Sequence, residues 1–343
     1  MSSTPAAASQ APAQDGQAHD GQAHDGDAAI GNRPGGHGAA TAARPTRGGR
    51  SRAAARAPWI LLAPFLALFT LTFVLPILVA LVSSFTKVTR SGLFGEKGVT
   101  SGFAGFDNYA QALGDANFIA SIGRVLLFGV VQVPVMIVLC TVLALLLESA
   151  SARWPGFFRA AYFMPYGVPG VIATILWSFL YVPGLSPFID IAGSMGITLD
   201  FLGPDHVLWS IANIVTWSYT GYNMLIIVAQ LKAIPAELYE AARVDGASPW
   251  RIARSIQLPL ITPALVLTTV FSIIGTLQLF AEAQVLKTSA PAIDSQYTPN
   301  LSAYSTAFAY NDYNVAAAQA VLIALAAFIL SFVFLRLTNR KSS

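Results

Sequence analysis

Six stretches of this chain stay apolar long enough to cross the roughly 30 Å of a bilayer's hydrocarbon at about 1.5 Å per helical residue. They cover about 59–82, 121–147, 158–181, 207–231, 261–282 and 316–337. Nothing else in the sequence restricts the fold as much. Inside hydrocarbon every backbone N–H and C=O must be satisfied within the protein, and a lone apolar segment does that only as a helix. The expected fold is an all-α membrane protein with six transmembrane helices. Pro76, Pro134, Pro165, Pro169 and Pro263 fall in or near these runs, as kinks that neighbouring helices can accommodate. Only 11% of the 343 residues are charged, where a soluble domain carries about 25%. The lipid bilayer is therefore the first partner. The formal charge of +3 is too small to imply nucleic acid. The single cysteine, Cys140, lies in an apolar run, cannot form an intrachain disulfide, and reads as a packing residue.

Residues 1–57 are rich in Ala, Gly, Pro, Gln and Ser. With few large apolar side chains they cannot offset chain entropy, so the expectation is a disordered cytoplasmic tail. His19 and His24 repeat within QAHDG units and read as low-complexity sequence rather than a metal site. Residues 58–120 are expected to hold the first span and an extracytoplasmic loop, and 121–337 the main transmembrane domain. The run after the tail's arginines is too long for a signal peptide and reads as a retained anchor. Lysine and arginine set the orientation. With the N-terminus inside, the cytoplasmic side gathers fifteen of the twenty basic residues, in the tail, around 148–159, in 232–260 and at the C-terminus. Lys87, Arg90, Lys97, Arg124 and Lys287 remain outside. Both termini and the 234–260 loop are thus expected in the cytoplasm of a multi-pass cell-membrane protein.

That loop reads IPAELYEAARVDGASPWRIARSIQLPL. Pro235 can open a helix because its missing N–H goes unused in the first turn, and Glu237 and Glu240 suit the positive end. Gly246 can take the left-handed conformation that closes a helix. Ser248-Pro249 can cap and start a second one, with Pro259 expected to stop it. Leu238, Ala241, Ala242 and Asp245 share one stripe. The reading is two short helices and a sharp turn lying along the membrane surface.

Glu240-Ala241-Ala242, then Asp245-Gly246-Ala247, then Ile256-Gln257-Leu258-Pro259, resembles the EAA loop of ABC-importer permeases. In that family the loop forms coupling helices that dock into a cleft of the ATPase subunit. The likeness extends over about 120–340. Pro165-Tyr166-Gly167-Val168-Pro169 with Trp177 and Pro183-Gly184, Thr276 through Glu282, and Tyr304-Ser305-Thr306-Ala307-Phe308 are similar to stretches of the carbohydrate-uptake branch. After Lys287 the chain has Thr288-Ser289-Ala290-Pro291 where many sugar permeases carry a glycine-rich turn. The resemblance implies the type I ABC-importer permease fold and a permease subunit of an ATP-driven sugar importer. It implies as partners a second non-identical permease, two copies of an ABC ATPase and an extracytoplasmic sugar-binding protein. It assigns ATPase coupling to Glu240, Ala241, Ala242, Asp245, Gly246, Ala247, Leu258 and Pro259.

The sequence contains no G-x-x-x-x-G-K-[ST], H-E-x-x-H or G-x-S-x-G. No enzyme activity and no cofactor are expected in this chain, with ATP and magnesium belonging to the partner ATPase. Polar side chains in spans are costly and mark a pathway or a helix contact. Trp217, Tyr219, Tyr222 and Asn223 on the fourth span, with Gln278 and Glu282 on the fifth, are the candidate sugar pathway. Asn213 and Gln319 are further polar positions in spans. Aromatic faces suit a sugar's C–H surface, and amides its hydroxyls. Two rivals remain: an ABC importer for another solute such as a polyamine or phosphate, and a stand-alone secondary transporter. Asn223→Ala is expected to lower uptake while leaving subunit assembly intact; unchanged transport removes Asn223 from the pathway.

Overall fold

The structure is a computed structural model and describes residues 52–90, 99–149 and 151–339. The expected disordered tail lies outside the described residues up to position 51. From Arg52 onward the chain is helical, in α1 (Arg52–Phe69). Alanine and arginine are strong helix formers, and they extend a helix that the apolar run has nucleated.

After α1 come a π-helical turn (Thr70–Val74) and α2 (Leu75–Ser84). Trp59–Ser84 together make a 26-residue apolar span. The wide turn directly precedes Pro76, whose ring cannot fit an unbroken α-helical ladder. Phe65, Phe69 and Phe73 stack along one face, with ring centroids 5.9 and 5.5 Å apart.

The next segment corrects the all-α expectation. Strands β1 (Thr86–Arg90) and β2 (Val99–Phe103) pair antiparallel, Thr86 opposite Phe103. Their Thr and Val residues favour extended backbone. Helix α3 (Asp107–Gly114) follows. Asn108, read from sequence as part of a surface loop, is buried. Its Nδ2 donates to the carbonyls of Ser84 and Thr86, both at 2.8 Å. Asn314 Nδ2 donates to the Ser83 carbonyl at 2.9 Å. These amides satisfy the Ser83 and Ser84 carbonyls that the end of α2 leaves free, and tie the start of β1 to them through Thr86.

The long helix α4 (Ala116–Leu147) is capped by Asp115, which accepts from Asn117 N at 2.9 Å. The span expected at 158–181 is not one helix. It is α5 (Pro155–Phe163), a 3₁₀ turn (Met164–Gly167) and α6 (Gly170–Tyr181), bent by 97°. Pro169 forces the extended conformation on Val168 (φ −84°, ψ 122°), as a residue before proline requires. Helix α7 (Pro187–Ser194) precedes α8 (Val207–Lys232). The 234–260 loop contributes α9 (Ala236–Val244), α10 (Pro249–Ile252), a second π-helical turn (Ala253–Gln257) and α11 (Leu258–Leu260). Pro259 does not end this helix as expected. The chain continues into α12 (Thr262–Leu277) after a 64° bend.

The fifth span also stops early, at Leu277. Helix α13 (Ala281–Leu286) is separate, so Gln278 and Glu282 are not on the fifth helix. Asn300 Nδ2 donates to the freed Leu277 carbonyl at 2.7 Å. Helices α14 (Pro299–Phe308) and α15 (Tyr313–Asn339) complete the chain.

Among the described residues three helices are long and apolar enough to cross a membrane, Trp59–Ser84, Ala116–Leu147 and Tyr313–Thr338; counting each bent pair as one span gives five. Helix α8 matches them in length with 26 residues, but its middle is polar and aromatic.

Two apolar cores lie along α4 and α8. One joins Phe128, Tyr181, Ile211 and Ile214 to Leu279, Leu286, Ile293 and Leu301. It folds the stretch 283–301 onto the helices. Arg124 fastens that segment. It donates to the Tyr297 carbonyl at 2.6 Å and stands 4.3 Å over the ring. Burial pushes the Tyr297 hydroxyl above its ordinary pKa, against the pull of Arg124. The other core joins Cys140, Ala144 and Leu147 to Met224, Ile227, Leu231, Ile234 and Ile261.

Gly221 lets α5 lie directly on α8. A Cβ there would overlap the Tyr162 carbonyl and come within 2.9 Å of Phe163 Cα. Gly221→Ala is expected to cost about 1–3 kcal/mol by forcing the two helices apart. A lower melting temperature of the purified protein in detergent is the check.

Candidate functional site

Between the two cores, α4 and α8 both border a cavity of about 570 Å³. On α4 it opens at Phe128, Gln132 and Met136, a stretch of about 12 Å. On α8 it is lined by Val215, Tyr219, Tyr222 and Asn223, near the helix midpoint. The body of α12 adds Phe271, Ser272, Gly275 and Thr276, and the breaks described above supply further walls. Tyr166 comes from the 3₁₀ turn and Gly170 from the start of α6. Gln278 and Glu282 flank the break between α12 and α13. Broken helices therefore bring polar groups to membrane depth only where they face a cavity.

Five of the six candidate pathway residues meet here: Tyr219, Tyr222, Asn223, Gln278 and Glu282. Trp217 does not line the cavity. It sits edge-on to Trp177, with centroids 5.8 Å apart. Asn213 donates to the Tyr181 hydroxyl at 2.8 Å, and Gln319 is buried elsewhere. Tyr222 stacks on Tyr166 at 4.6 Å with planes 15° apart, and Tyr219 meets the same ring edge-on at 5.9 Å. Asn223 is buried, and its Nδ2 donates to the Tyr219 carbonyl at 3.2 Å. Gln132 Nε2 donates to Thr216 Oγ1 at 3.2 Å, tying α4 to α8 beside the cavity.

Sequence reasoning did not single out Gln132 or Tyr166 for the pathway. Each carried a signal. Gln132 is an amide in an apolar run two residues before Pro134, and Tyr166 lies between two prolines.

The coupling region has the expected local form. Gly246 has φ +74°. Its N–H reaches the Arg243 carbonyl at 3.0 Å, and Ala247 N–H reaches the Ala242 carbonyl at 2.9 Å. This pair of bonds is a Schellman closure of α9. Ser248 Oγ caps the next helix by accepting from Arg251 N at 3.3 Å. One face is anchored: Ile234, Tyr239 and Leu258 join the second core, and Ile252 is buried. The other face is open. Glu240, Ala241, Asp245 and Gly246 are exposed, Val244 is 89% exposed and Trp250 72%. Ala242 and Ala247 are half-buried, Leu258 likewise, and Pro259 is exposed.

The structure thus holds a cavity among its helices and, apart from it, an exposed two-helix loop. The chain belongs to the family described as binding-protein-dependent transport system inner membrane component, which it matches over residues 140–343. The lactose transport system permease protein LacF of Rhizobium radiobacter is 32% identical, covering 80% of this chain and 91% of that one. The sn-glycerol-3-phosphate transport system permease protein UgpA of Rhizobium meliloti is also 32% identical, covering 80% and 94%. A probable starch degradation products transport system permease protein, AmyD of Thermoanaerobacterium thermosulfurigenes, is 28% identical, covering 82% and 94%. In fold, the chain resembles one chain of a bacterial alginate ABC transporter solved with an alginate-bound periplasmic protein. The TM-score is 0.72 at 20% identity, over 86% of this chain and 99% of that one. The protein is thus a transporter permease of the inner membrane rather than a catalytic subunit, which sets aside the stand-alone secondary transporter.

Gly246→Ala places a methyl group at positive φ, costing about 1 kcal/mol or more. The expected outcome is weakened ATPase docking in a pull-down and reduced uptake. Normal docking together with normal transport would contradict it.

Proposed function

We propose that this chain is a permease subunit of an ATP-driven, binding-protein-dependent sugar importer. One observation carries the reading: a cavity lined by stacked tyrosines, amides and a carboxyl group lies directly above the core that anchors the coupling loop. Tyr166 and Tyr222 offer flat faces to a sugar's C–H surface. Gln132, Gln278 and Glu282 offer partners for its hydroxyls. The names of the relatives, with lactose and starch degradation products as cargo, support a sugar.

The pore needs a second, non-identical permease, and this chain forms half of it. Helix α8 joins Val207–Lys232 to the five other crossings, making six. Both termini and 234–260 face the cytoplasm, as the distribution of lysine and arginine supports. The open face of Leu238, Glu240, Ala241, Val244, Asp245 and Trp250 docks on one of two ATPase subunits, which hold ATP and magnesium. A solute-binding protein delivers sugar from outside. Closure of the ATPases displaces α9. Tyr239 and Leu258 pass that motion into the core holding Met224 and Ile227, one residue and one helical turn beyond Asn223. The cavity walls then move without any chemistry in this chain.

Two measurements test the reading. Ser248→Cys is expected to react with membrane-impermeant maleimide only from the cytoplasmic side; labelling from outside intact cells would overturn the topology. In proteoliposomes holding both permeases and the ATPase, with binding protein in the external medium, lactose or maltodextrin is expected to accumulate only with ATP beside the ATPase. Accumulation without the ATPase would sink the coupling.

A further inference from the structure

The relatives leave the charge of the cargo open. A permease named for lactose and one named for sn-glycerol-3-phosphate are equally similar to this chain at 32% identity, yet one sugar is neutral and the other compound is an anion. The cavity itself is more decisive. Its lining includes one acidic residue, Glu282, and no lysine, arginine or histidine. Among the described residues the ion pair within 4.0 Å is Arg159 with Glu148, so Glu282 has no cationic partner there. Its Oε1 lies 3.9 Å from where a Cβ on Gly170 would stand, which sets it against the opening turn of α6, where a helix favours negative charge. The rest of the wall is tyrosine, amide, small hydroxyl and apolar surface.

We infer that the cavity accepts uncharged sugars and turns away anionic ones, and that Glu282 sets this preference. An anion entering the cavity meets Glu282 either as a like charge or as a carboxyl that must first take up a proton. A neutral sugar meets neither obstacle, and its hydroxyls donate to the Glu282 oxygens. A sugar phosphate or uronate needs basic side chains, and this half of the pathway provides none. The inference rests on the sugar reading above and refines it.

The test uses the whole complex of both permeases and the ATPase in nanodiscs, without the binding protein, whose own selectivity would mask that of the cavity. Binding of trigalacturonate and of its uncharged methyl ester is compared by saturation-transfer NMR, with maltotriose as a second neutral probe. In the wild type the ester is expected to bind at least about 10-fold more tightly than the acid. Glu282→Gln is expected to close most of that gap, and Glu282→Asp to keep it. Equal binding of acid and ester by the wild type would overturn the inference while leaving the sugar reading in place, and that comparison holds even if the glutamine variant fails to assemble. A gap that survives in an assembled Glu282→Gln complex would overturn it too. Failure of every sugar to bind would sink the sugar reading itself.

Discussion

Helices α4 and α8 lie against each other over two apolar patches separated by a polar middle, and the rest of the structure depends on that contact. Phe128 against Ile211 and Ile214 forms one patch, and Cys140 and Ala144 against Met224 and Ile227 the other. Between them Gln132 and Thr216 hold the helices together by a hydrogen bond rather than by packing. The cavity lies between these two apolar patches. The polar groups lining that space are costly in hydrocarbon. They are tolerated because they face a cavity and not lipid.

Beside the body of α12, part of the cavity wall comes from helices that break. Proline breaks the third span at Val168, and the fifth stops at Leu277. Each break frees backbone groups, and each aims a side chain inward that an unbroken helix would have pointed elsewhere. Asn300 shows how such a break is stabilised: its amide replaces the lost partner of the Leu277 carbonyl from a different part of the chain. The segment between α13 and α15 is for the same reason part of the core, through Ile293, Tyr297 and Leu301.

Much of this was legible in the sequence. The apolar runs located the long helices within a few residues, because their length is dictated by the bilayer. The turn at Gly246 and the cap at Ser248 followed from local chemistry alone, and both stand as read. Tyr219, Tyr222 and Asn223 could be singled out because an apolar segment does not carry such residues without cause. What stayed hidden was set by long-range contacts. Nothing local turned Trp217 away from the cavity; its partner, Trp177, lies on another helix. Apolarity gave no sign that the fifth span ends at Leu277, since the group replacing its hydrogen bond is Asn300. The β1–β2 hairpin was missed because two five-residue strands of Thr and Val carry too little pattern to stand out in a loop.

The two π-helical turns have a consequence for how such sequences are read. Each ends two residues before a proline, Thr70–Val74 before Pro76 and Ala253–Gln257 before Pro259. A turn with one residue too many shifts every later side chain by about 100° around the axis. The stripe of residues facing inward before such a turn is therefore out of phase with the stripe after it. A single-residue gap placed there when relatives are superposed would mark a change of winding, not a lost contact.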